Sequence, residues 1–211
     1  MGSFDRKERD KQLRRSDIFN AAEKLFAAKG FNNTSIDEIA KEAQYAVGTI
    51  YLYFKGKEEL YFELLHEKMK HVVDKIRKEL AEIDDPLEKI RKLIRIQLRY
   101  FDNNESFFKI FVTERFDLKV VAARDTIHKE MKDVFRSHIE FVAQIIREIM
   151  LKRGVKMGDP VRLSFILNGM VRSTVYHWVM EKKHGSIEGG ADMIFNLFFY
   201  GLMNKNIDKN G

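Results

Sequence analysis

Thr34-Ser35-Ile36-Asp37-Glu38-Ile39-Ala40-Lys41-Glu42-Ala43 and, after Gln44-Tyr45-Ala46, Val47-Gly48-Thr49-Ile50-Tyr51-Leu52-Tyr53-Phe54-Lys55-Gly56-Lys57-Glu58-Glu59-Leu60 decide how the chain folds. In the first run Ile36, Ile39, Ala40 and Ala43 fall at i, i+3, i+4 and i+7, which predicts a short helix with one packed face. Two overlapping capping boxes open it, Thr34 with Asp37 and Ser35 with Glu38. The second helix, Val47 to Phe54, is too short to hold itself and depends on its neighbours. At about 100° per residue, setting Ile50 and Phe54 inward turns Gly48 and Leu52 outward. Thr49 and Tyr53 then lie on one flank and Tyr51 on the other, so the exposed face is small, hydroxylated and aromatic.

The run Gly48 to Leu60, preceded by Ile39-Ala40-Lys41-Glu42-Ala43, resembles the DNA-binding domain of the tetracycline-repressor (TetR) family. The resemblance covers about a quarter of the chain at residue level; beyond it the likeness is one of length and helix order. The turn departs from the family pattern, with Gln44 in place of the usual glycine and Ala46 in place of the usual serine. Gln44 must then take a left-handed conformation at a cost of roughly 1 kcal/mol, and Ala46 offers no side-chain cap.

Composition narrows the field around this core. With 211 residues and no cysteine, the chain can build a sizeable core but no disulfide and no cysteine-based chemistry. Its N-terminus is charged and it has no apolar run of the ~18 residues a membrane span needs, so a cytoplasmic protein without a membrane partner is expected. Only Pro86 and Pro160 interrupt a helical period, which predicts an all-α chain of about nine helices. A net charge of +6 permits a nucleic-acid partner without demanding one.

Residues 1–55 are expected to form a three-helix helix-turn-helix domain and residues 56–211 a helical ligand-binding and dimerisation domain. The charged segment up to Arg15 reads either as solvated surface or as a basic arm along DNA. Ile18, Ala21, Ala22, Leu25 and Phe26 then make the first apolar stripe, which Gly30 ends and Phe31 covers. A connecting helix from Lys57 stops at Asp84-Asp85-Pro86, where Asp85 caps the next helix. Phe107 to Phe116 is a short aromatic segment, and a long helix runs from about Lys119 to Arg153, where Gly154 ends it. Asp159-Pro160 opens a helix to His184 that is apolar on nearly every side, which predicts a second subunit against it. The last helix spans Ala191 to Asn204.

No catalytic set, metal site or cofactor motif is found. His66 and His71 are five apart and point away from each other, and there is no phosphate loop or nucleophile elbow. The TetR resemblance implies a homodimer on a double-stranded DNA operator. Thr49, Tyr51 and Leu52 would reach bases, and Gly48 would bring the backbone close. Thr34, Tyr53 and Lys57 would hold the backbone phosphates, and Ser35 and Val47 are also expected at the DNA-binding surface. The second helix lacks Arg, Asn and Gln, so bidentate base reading is excluded there and thymine-methyl contact or shape readout must contribute.

The resemblance also implies a ligand cavity among the later helices, to which Phe101, Phe108, Phe111, Phe141 and Phe165 are expected to contribute. Asn168, Arg172 and Tyr176, at i, i+4 and i+8 on an apolar helix, are candidates for its polar lining. A buried Arg172 would need either an acid such as Glu114 or Glu140 or an anionic ligand. Gly169, Ser173, Trp178 and Phe198 are expected at the dimer interface. Tyr51-Leu52-Tyr53-Phe54-Lys55 and Trp178-Val179-Met180 are similar to the branch of the family that senses fatty acyl-CoA, so the expected effector is small and hydrophobic and the expected activity is repression relieved by it. The alternatives are a multidrug-type sensor of hydrophobic cations and a lipid-carrying or enzymatic bundle that does not bind DNA.

Overall fold

A computed structural model describes residues 3–106, 125–154, 156, 158–181 and 186–203. Among the described residues there are eight α-helices, one 3-10 turn and no strand. The chain divides into two compact units, the first comprising residues up to Lys68 together with 106–131 and the second 69–105 and 132 onward. The division after Lys68 falls inside one helix, Lys57–Leu80.

In the first unit, α1 (Ser3–Lys29) is longer than its apolar stripe. Ile18, Phe19, Ala21, Ala22 and Phe26 are buried, whereas residues 6–14 extend the same helix and are exposed. Gly30, at φ 78°, ends α1 in the left-handed conformation that glycine takes without penalty. The Phe31 ring then folds back to 5.8 Å from Phe26 and 4.9 Å from Tyr61. α2 (Ile36–Glu42) is opened by the Ser35 and Glu38 capping box and not by Thr34. The Thr34 hydroxyl is buried and donates to the carbonyl of Gly30 at 2.9 Å, closing the end of α1 instead.

Gln44 sits at φ 60°, as the missing turn glycine demands. α3 (Val47–Tyr51) is shorter than its sequence pattern predicts. Its last turn tightens, with the Tyr53 and Phe54 N–H groups both reaching the Ile50 carbonyl at 3.0 Å. The chain turns at once because the Lys55 N–H is taken by the Glu59 carboxylate at the start of α4 (Lys57–Leu80). Ile50, Phe54, Leu60 and Leu64 are almost completely buried and fix α3 in place; each such side chain stabilises the fold by about 1.5–3 kcal/mol. Arg15 closes this unit, bonded to Glu63 at 2.7 Å and lying over the rings of Phe19 and Phe54.

The second unit contains α5 (Pro86–Asp102), most of α6 (Asp125–Arg153), α7 (Pro160–Met180) and α8 (Gly190–Met203), with a 3-10 turn at Ile187–Gly189. Asp85 and Asp159 cap α5 and α7, each with proline in the first turn. Gly154, at φ 61°, follows α6. The core is built by Leu93, Ile94, Leu98, Val142, Ile146, Leu167, Val175, Ile194 and Phe199. At the surface Arg99 pairs with Glu188 at 2.5 Å, while Arg91 and Arg95 share Asp192. Such exposed pairs add little stability and chiefly set register. α7 ends at Met180, short of His184, which lies outside the described residues.

Candidate nucleic-acid interface and effector core

α3 presents its exposed side from a rigid base. Leu52 is 82% exposed and Tyr51 55%, while Ile50 on the opposite side is fully buried. Gly48 is exposed, and a Cβ built on it would meet nothing within 4 Å. The protein itself therefore has no need of glycine there. Val47, Thr49 and Tyr53 are half-buried on the flanks. Ala46 precedes α3 with no side-chain cap, so the α3 N-terminus lacks the hydroxyl usual at this place. Behind the turn, the Tyr45 hydroxyl donates to Asp17 at 2.8 Å, which raises the phenol's pKa and ties the turn to α1.

Two residues expected to hold phosphates are engaged elsewhere. The Lys57 ammonium donates to the carbonyls of Thr34 at 2.7 Å and Phe31 at 2.8 Å, and lies 4.4 Å from the Phe31 ring centroid. It acts as an internal clamp on the loop between α1 and α2. Thr34 is only 2% exposed, with its hydroxyl directed at the end of α1. Ser35 is exposed, although its hydroxyl and N–H serve the capping box with Glu38. The Glu38 carboxyl is held below its ordinary pKa, first by Lys29 and then by the Ser35 backbone N–H. Lys55, which sequence reasoning passed over, has a side chain 89% exposed beside α3, with its ammonium 3.7 Å from the Glu59 carboxylate.

Of the eight residues expected around a ligand, the six that are described do not share one environment. Phe108 and Phe111 lie outside the described residues, as does Glu114. Phe165 and Tyr176 are half-exposed at 51% and 48%. Arg172 is exposed and makes no ion pair among the described residues, which removes the expectation of a buried guanidinium; Glu140 pairs with Arg147 instead. Phe141 is half-buried beneath Arg77, and Phe101 is half-buried against Tyr100.

Asn168 alone of the polar line turns inward. Its Nδ2 donates to the Ser164 carbonyl at 2.9 Å and its Oδ1 accepts from Gln97 Nε2 at 3.2 Å. Gln97 Nε2 also lies 3.2 Å from His138 Nε2. Burial pushes the His138 imidazole down to about 4, with Asn168 opposing the shift, so the ring is neutral at pH 7. Gln97 and His138 were legible as polar residues on apolar stripes, the first with Ile90, Leu93, Ile94 and Leu98, the second with Val142, Ile145 and Ile149.

The expected dimer residues also divide. Phe198 is buried inside the subunit against Phe199. Gly169 and Trp178 are half-buried and Ser173 is exposed. Around them α7 exposes Ile166, Tyr176 and Met180, and α8 exposes Met193, Leu197 and Tyr200, each to 48% or more. Met193, Leu197 and Tyr200 stand at i, i+4 and i+7 and so form one stripe. Among the described residues no helix is long and apolar enough to cross a membrane.

Comparison with known proteins places these features. Residues 18–64 match the family of bacterial regulatory proteins described as tetR, and residues 65–201 match the YsiA-like protein C-terminal region. The fatty acid metabolism regulator protein of Bacillus subtilis is 25% identical over 189 residues, covering 89% of this chain and 95% of that protein. The fatty acid degradation regulator FadR of Bacillus halodurans superposes with a TM-score of 0.76 at 24% identity, covering 90% of this chain and 98% of its own. FadR of Bacillus subtilis, solved in complex with stearoyl-CoA, superposes with a TM-score of 0.75 at 23% identity over 88% of this chain and 98% of its own. The chain belongs to the tetR family of bacterial transcriptional regulators, with a YsiA-like C-terminal region.

Proposed function

We propose that the protein is a homodimeric repressor that leaves a near-palindromic operator when it binds a fatty acyl-CoA. The observation that carries the DNA-binding part is α3 itself: a short helix held from behind by buried Ile50 and Phe54, with Gly48, Tyr51 and Leu52 facing outward. Tyr51 and Leu52 read bases by apolar contact, above all with thymine methyl groups. Val47, Thr49, Ser35 and Tyr53 flank that contact, and Lys55 supplies phosphate charge in place of Lys57. The two α3 helices of a dimer enter successive major grooves roughly 34–36 Å apart.

The exposed apolar positions of α7 and α8 are the face that a second copy covers, with Gly169 and Ser173 allowing close approach. A stable interface of this kind buries more than roughly 2,000 Å² in total. For the effector, support comes from the core and from the relatives' chemistry. The buried polar side chains of the second unit among the described residues are Gln97, His138 and Ser164, with no carboxylate among them. A hydrophobic cation would want an acid there, so a neutral or anionic apolar ligand fits better. Each methylene of an acyl chain that leaves water contributes about 0.8 kcal/mol, and unequal binding to two states is what moves a regulator between them.

Light scattering at micromolar protein is expected to give a dimer, and Leu197→Glu a monomer or aggregate. Duplexes selected from a random pool are expected to be inverted repeats whose affinity falls steeply with salt. A stable folded monomer, or binding without salt dependence, counts against this reading.

A further inference from the structure

The second unit hides a short relay of neutral polar side chains between α5, α6 and α7. Asn168 is oriented by its bond to the Ser164 carbonyl, so its Oδ1 faces Gln97. Gln97 must therefore present its NH2 group, which donates at once to Asn168 Oδ1 and to His138 Nε2. With Nε2 accepting, the neutral ring carries its proton on Nδ1; the tautomer is assigned from this network. Ser164 locks the same level of the bundle, its hydroxyl donating to the Ile139 carbonyl at 2.9 Å.

Two atoms of the relay are left over. Gln97 Oε1 and His138 Nδ1 are buried and have no hydrogen-bond partner among the described residues. Leaving one donor and one acceptor unpaired in an apolar core costs stability, about 1–3 kcal/mol for each group, and native cores rarely retain such groups without a role. Apolar residues at these two places on the α5 and α6 stripes would pack without that cost.

We propose that Gln97, His138 and Asn168 form a polar subsite of the effector core, in which the His138 Nδ1–H donates to a neutral carbonyl of the ligand and Gln97 Oε1 accepts from a neighbouring N–H. This rests on the acyl-CoA reading above and makes it specific to the thioester arm. An acyl thioester offers a carbonyl oxygen and, two methylenes beyond its sulfur, an amide N–H, which is the complementary pair. A fatty carboxylate offers acceptors only and would set an oxygen against Gln97 Oε1. Burial keeps the imidazole neutral, so the subsite selects by hydrogen-bond pattern and not by charge.

The test compares stearoyl-CoA with its thioether analogue octadecyl-CoA, which has the same chain and amide but no carbonyl, by calorimetric titration into the full-length protein. The wild type is expected to prefer the thioester about tenfold, and His138→Phe and Gln97→Met are expected to lose that preference while still binding the thioether. In the wild type, 15N-histidine spectra should show the His138 Nδ1 resonance moving with stearoyl-CoA and staying in place with octadecyl-CoA, a readout that holds even if a variant fails to fold. Equal affinity for the two ligands, as a trapped water on the same atoms would give, overturns the subsite and leaves the acyl-CoA effector standing. So does a His138→Phe protein that keeps the preference. If neither ligand binds, the effector reading itself fails and the subsite falls with it.

Discussion

Replacing Gly48 by alanine is expected to move stability and DNA affinity in opposite directions. The glycine lies in α3 without a positive φ, and nothing within 4 Å would meet the added Cβ. Inside the protein the change is therefore favourable, by about 0.5–1 kcal/mol from the lower backbone entropy of the unfolded chain. For a chain of this length that is a rise in melting temperature of roughly 1–4 °C. The methyl group instead points into the space that a DNA groove must occupy, where forcing in an extra carbon costs about 1–3 kcal/mol per contact. A dimer has two such contacts, so affinity for a selected operator should fall by about thirtyfold or more. Differential scanning calorimetry and fluorescence anisotropy on the same preparation measure both. A Gly48→Ala protein that is more stable and binds the operator as tightly as wild type would refute the idea that α3 approaches DNA through this face.

Three further expectations follow from the same geometry. Lys57→Met should destabilise the protein by about 1–2 kcal/mol in urea titrations, because the Thr34 and Phe31 carbonyls lose a charged donor; unchanged stability would mean that the clamp contributes nothing. Gln44→Gly should raise stability by about 0.5–1 kcal/mol, since the residue already sits at φ 60°. His138 has its pKa lowered from 6.5 to about 4 by burial. Its protonation therefore carries no cost above pH 6.5, and below it the unfolded chain takes up a proton that the folded chain refuses. Stability should fall by roughly 3 kcal/mol from this group between pH 6.5 and 4, and His138→Leu should flatten that slope in denaturation midpoints measured across the range.

The parts of the fold that could be read in the sequence are those set by neighbours along the chain. Gln44 stands where the turn needs a left-handed residue, and its φ follows from that alone. Asp85-Pro86 and Asp159-Pro160 start helices because cap and proline act locally. What stayed hidden depended on residues brought together by folding. Nothing near Lys57 in sequence indicates that the carbonyls of Phe31 and Thr34 would lie around its ammonium. Thr34 and Ser35 offered equivalent capping boxes, and the choice went to Ser35 because the Thr34 hydroxyl is drawn to the end of α1.

The polar line on α7 divides for a geometric reason. Steps of four residues advance about 40° around a helix, so Tyr176 stands about 80° from Asn168, and only Asn168 faces inward. Phe198 and Leu197 are equally apolar on paper, yet one fills the core and the other faces out. Gln97 and His138, by contrast, were exceptions on otherwise apolar stripes, which is where buried polar groups announce themselves.

Release of a selected operator duplex by stearoyl-CoA is best followed by fluorescence anisotropy at fixed salt with the dimeric protein. Saturable release is expected at a stoichiometry of one ligand per subunit, with longer acyl chains acting at lower concentration and free CoA having no effect. An operator complex that persists at every acyl-CoA concentration, and dissociates with hydrophobic cations instead, would contradict it.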